Sequence, residues 1–129
     1  MKLVRAMCIA AAVVGATAAM PAFSKEMTGD EFMAKCAKPA NSVDAGFCLG
    51  LIEGIDEGVE MGIIVDRVRD GKTTSDGLKT TYCYPDGITL GQTSDTLMAY
   101  IRNNPSERSK HISVLFVLAM EAQYPCSGS

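Results

Sequence analysis

Residues 42–69 read SVDAGFCLGLIEGIDEGVEMGIIVDRVR, and this stretch decides the architecture. Ser42 is a favourable helix cap, and Gly71 just past the end is a favourable stop. Projected at 100° per residue, Phe47, Cys48, Leu51, Ile52, Ile55, Val59 and Ile63 fall on one face. Glu53, Asp56, Glu57 and Glu60 fall on the other. The pattern predicts one long amphipathic helix whose carboxylates form a solvated face or, in a sharper reading, an acidic strip for a partner.

The same stretch carries glycine every four residues, at Gly46, Gly50, Gly54, Gly58 and Gly62. Each costs about 0.8–1 kcal/mol relative to alanine inside a helix, so the row needs an offsetting reason. A row at spacing four follows a natural ridge of the helix, and without side chains that ridge becomes a groove. The expectation is that another helix backbone crosses closely at Gly50, Gly54, Gly58 and Gly62. The crossing helix comes either from the same subunit or from a second copy in a homodimer.

Shorter helices surround this one. Thr28-Gly29-Asp30-Glu31 is a capping box, and a helix follows it to about Ala37, where 38–41 stop it. Residues 72–81 are polar and threonine-rich and read as a loop. Tyr84-Pro85-Asp86-Gly87 is turn chemistry. Thr89-Leu90-Gly91-Gln92 is a second capping box, and its helix runs to about Asn103 with Leu90, Leu97, Met98 and Ile101 inward. Pro105 breaks it. A last helix is expected over about 109–123, and its apolar run at 114–120 predicts burial nearly all round. The fold class is all-α: a small domain of four to five helices packed as hairpins.

Residues 1–24 have the parts of an export signal. Lys2 and Arg5 form a positive start, 6–19 are apolar, and Ala22-Phe23-Ser24 places small residues where a signal peptidase reads. Cleavage is expected near Ser24, which removes Cys8 and leaves 25–129 as one extracytoplasmic domain. A membrane anchor needs roughly 20 apolar residues, more than are present here. Without Lys2 and Arg5 the domain has ten basic and fifteen acidic residues, a charge of about −5. That balance argues against nucleic acid or an anionic membrane as the main partner and is compatible with a basic protein.

Cys36, Cys48, Cys83 and Cys126 remain after export, the pattern of a disulfide-stapled extracytoplasmic domain. If the first two helices fold back on each other, Cys36 and Cys48 meet at the closed end of that hairpin. If the last two do the same, Cys83, before one, meets Cys126, after the other. The expected pairs are therefore Cys36–Cys48 and Cys83–Cys126. No C-x-x-C spacing suggests zinc. The one histidine, His111, reads as a surface or capping residue. No nucleophile elbow, phosphate loop or metal-ligand cluster is present, so no enzyme activity, cofactor or metal is expected.

Several motifs in order resemble the Rap/Tai family, immunity proteins against type VI secretion amidase toxins. Phe47-Cys48-Leu49-Gly50-Leu51-Ile52-Glu53-Gly54 is similar to its C-x-G-Y-I-x-G, with Leu51 in place of tyrosine. Cys83-Tyr84-Pro85-Asp86-Gly87-Ile88-Thr89 followed by Gln92 is similar to C-x-P-x-G-V-T-x-x-Q. Pro105-Ser106-Glu107-Arg108 resembles the family's P-E-x-R turn, and Tyr124-Pro125-Cys126 its aromatic-Pro-Cys close. The resemblance implies a small all-helical periplasmic protein, often a dimer, that plugs the groove of a peptidoglycan amidase. On that reading the contact elements are the 70–81 loop, with Asp70, Lys72, Thr73, Thr74 and Asp76, and the 107–111 turn, with Glu107, Arg108 and His111. Two other functions suit the same sequence: a non-immunity periplasmic binding or structural protein, and an acid-stress periplasmic chaperone.

Overall fold

A computed structural model describes residues 25–37, 42–71 and 81–126. The order of elements is α1 (Gly29–Cys36), α2 (Val43–Arg69), α3 (Leu90–Asn103), a 3-10 turn (Pro105–Glu107) and α4 (Ile112–Gln123), which is the expected all-α class. Both capping boxes form. The Glu31 amide donates to the Thr28 hydroxyl at 3.3 Å while the Glu31 carboxylate accepts from the Thr28 amide at 2.8 Å. Thr89 and Gln92 exchange the same two bonds at 3.2 and 2.9 Å. Ser42 starts α2 by accepting from the Ala45 amide. Gly71 and Gly87 have φ of +71° and +77°, a left-handed backbone that favours glycine at a helix end and in the 85–88 turn.

The core lies among α1, α3, α4 and the inner edge of α2. Phe32, Ile52, Tyr82, Leu97, Ile101, Leu115, Phe116 and Met120 are fully buried. The hairpins close as their geometry predicts: Cys36 pairs with Cys48 and Cys83 with Cys126, across Cα separations of 5.8 and 4.8 Å. They enclose sequence separations of 12 and 43 residues, worth about 3 and about 4 kcal/mol by loop entropy.

Two expectations are corrected and a third is narrowed. First, α4 begins at Ile112 rather than near Ser109, because His111 is extended and bridges Thr28, with the Ile112 amide donating to the Met27 carbonyl at 2.8 Å. Second, α4 is not buried all round. Ile112, Leu115, Phe116, Ala119 and Met120 form its buried stripe, while Val114 is 48% exposed. Third, the crossing expected at the glycine row of α2, from the same subunit or a second copy, is not made by any described part of this subunit. A Cβ added at Gly46, Gly50, Gly54, Gly58 or Gly62 meets nothing within 4 Å. The close approach is elsewhere, at Gly29, where a Cβ would stand 2.5 Å from the Leu115 side chain and 2.9 Å from the Arg108 carbonyl oxygen.

Candidate protein-binding surfaces

The turn between α3 and α4 is held from both sides. The Arg108 guanidinium donates to the carbonyls of Ile101 and Arg102 at 3.0 and 3.1 Å, closing the open end of α3. The amides of Gly29 and Asp30 donate to the carbonyls of Lys110 and Arg108, both at 3.1 Å. Glu107 pairs with Lys110, and His111 with Glu26. Of the three side chains expected to meet a partner here, Arg108 is therefore turned to its own backbone. Glu107 is half-buried in an ion pair, and His111 alone is exposed. Nearby, hydrogen bonds from Lys25 and then from Thr28 hold the Glu31 carboxyl down at about 2.

The other expected element begins at Asp70, the C-cap of α2. Lys72, Thr73, Thr74 and Asp76 lie outside the described residues. Asp70 stands 15 residues beyond Ile55, roughly 20 Å of helix. Ile55 in turn lines a hollow together with Ile112, at the foot of the 107–111 turn. Of this element's expected side chains only Asp70 is described, and it stands along α2 well away from the level at which Ile55 meets the foot of the 107–111 turn.

Midway along α2, at Asp56, is a cluster unforeseen in the sequence. Tyr82 and Tyr84 both donate their hydroxyls to Asp56, at 2.7 and 3.2 Å. Tyr84 stacks edge-on against Tyr124, whose hydroxyl lies 3.1 Å from that of Thr96. Burial first, and then the Asp56 carboxylate, push both tyrosines well above the usual range. Asp56, expected on the solvated face, is instead the tie between α2 and the 82–84 segment. Glu53, Glu57 and Glu60 remain exposed. The available signal was its angle: 180° from Phe47 but only 40° from buried Ile52.

A channel between α2 and α4 is the second unforeseen feature. Its first part, about 430 Å³, is lined by Met27, Phe47, Leu51, Ile55 and Ile112. Ser113 also lines the second part, where Val59 faces Val114, Val117 and Leu118. Only Cys48 and Ile52 of α2 are buried, and Phe47 is 45% exposed. The clue was the width of the apolar arc on α2, which one neighbouring helix does not cover. Among the described residues there is no cluster of three metal-ligating side chains, and no helix is long and apolar enough to cross a membrane.

No curated protein and no solved structure matches the chain. A protein-family model does, over residues 28–126, from the cap of α1 to the last cysteine. That span takes in both disulfides, both capping boxes and the sewn 104–111 turn, and on it the chain belongs to the family of Rap1a immunity proteins.

Proposed function

We propose that this protein is exported, loses its leader near Ser24, and acts in the periplasm by binding and inhibiting a type VI secretion peptidoglycan amidase. The observation that carries the reading is the family match over 28–126. An inhibitor of this kind needs no reacting groups; it needs a stiff surface that loses little entropy on docking. Two disulfides and the sewn α3–α4 turn supply stiffness. The exposed acidic strip and the charge of about −5 suit a basic rim on the toxin and would speed encounter.

The test mixes the oxidised protein with candidate secreted amidases. A stoichiometric complex in which peptidoglycan hydrolysis stops supports the reading. A toxin that keeps its activity at saturating protein, for every amidase encoded beside an immunity gene of this family, overturns it.

A further inference from the structure

We infer that the channel between α2 and α4 docks an amphipathic helix of a partner protein, one whose apolar stripe is flanked by lysine or arginine. None of Asp70, Glu107, Arg108 and His111 lines it, and the inference holds whatever the partner's activity is.

The walls decide the form of the occupant. The two long walls are helices, whose backbone donors and acceptors are already paired within themselves, and the non-helical 25–27 segment borders only the near end. Along α2 and α4 the channel therefore offers side-chain contacts and no ladder for an extended strand. A segment entering it must satisfy its own backbone, which a helix does. The α2 wall runs from Phe47 to Val59, 13 residues spanning roughly 18 Å, the length of about three helical turns. Gly58 lies seven residues after Leu51 and three after Ile55, on the same stripe, and projects nothing into the space there. A docked helix can bring its backbone close at that point.

Charge sets the flank. At the near end Lys25 is bound to Glu31 at 2.8 Å, and Lys35 is paired with Asp44 and lies over the Phe47 ring. Beyond the glycines, α2 presents exposed Glu53 and Glu57. Glu121 continues the channel stripe of α4 after Val114, Val117 and Leu118. An apolar helix with basic residues beside its stripe complements this rim, and an acidic one is repelled.

The experiment uses three helix-stabilised peptides of about 14 residues and fluorescence anisotropy on the oxidised protein. One has leucine at i, i+3, i+4, i+7 with lysine flanks, the second the same stripe with glutamate flanks, the third serine in place of leucine. The lysine peptide is expected to bind at least tenfold more tightly than either, with affinity falling as salt rises. Gly58→Leu is expected to weaken it at least tenfold while leaving the melting temperature unchanged or higher, since a Cβ there meets nothing. Equal binding of the lysine and glutamate peptides, or full affinity in Gly58→Leu, overturns the inference. So does a stable dimer at working concentration that Gly58→Leu splits, for then the occupant is a second copy.

Discussion

Gly29 and the five glycines of α2 are the same residue in opposite surroundings. At Gly29 the start of α1 is pressed against Leu115 and the Arg108 backbone, so a methyl group has no room. Along α2 a methyl group at any of the five has open space. The first glycine is required by packing in the folded subunit. The others weaken α2 as a helix without repayment inside the described subunit, so their reason is to be sought outside it. The two faces of α2 repeat the contrast, with Asp56 tied to two tyrosines on the inner side and a bare channel wall on the outer.

The hardest blow to the knitted side should be Asp56→Ala. It strands two tyrosine hydroxyls, and a loss of about 3 kcal/mol is expected in urea unfolding. Retention of full stability would mean that the 82–84 segment does not depend on α2. Gly29→Ala comes next, at about 2 kcal/mol, because a backbone oxygen 2.9 Å from the new methyl must move. On the open side the sign should reverse. Gly54→Ala and Gly58→Ala are each expected to raise stability by about 0.8–1 kcal/mol. A fall in either would place a packing partner, such as another copy, on that ridge.

The smallest effect is one of pH. Glu31 is depressed to about 2 in the fold from an ordinary value of 4.5, so its contribution to α1 is complete above about pH 4.5. It is lost as pH falls toward 2. Glu31→Gln should flatten that part of the acid unfolding profile, and an unchanged profile would assign the acid response to other carboxylates.

The helices, their caps and the cysteine pairs were legible in the sequence because each depends on neighbours close along the chain or on hairpin closure. Thr28 and Thr89 announce their helices through the residue three positions on. The late start of α4 was not legible, since it comes from a bridge between His111 and the distant Thr28. Periodicity gave the angle of Leu51, Ile55 and Val59 around α2 correctly, but an angle does not say how much of that direction another element covers. Asp56 was misplaced for the converse reason: spacing put it among the acids, and tyrosines from beyond the 72–80 segment reached it. Of the expected contact residues, Glu107 and Arg108 looked like surface in sequence because their partners, Lys110 and the α3 carbonyls, become neighbours only once the turn closes.

The tyrosine cluster makes the protein its own optical reporter. The chain has no tryptophan and four tyrosines, three of which, Tyr82, Tyr84 and Tyr124, meet in one place. Near-ultraviolet dichroism and intrinsic emission will therefore describe mainly the end where the 82–84 segment, α2 and the close of α4 converge. The raised values of Tyr82 and Tyr84 also mean that these two phenols resist ionising in the fold where an unfolded chain already absorbs as phenolate. The stabilisation is whole below about pH 10 and drains away above it. An alkaline absorbance titration, with no label attached, thus follows the release of this end of the molecule.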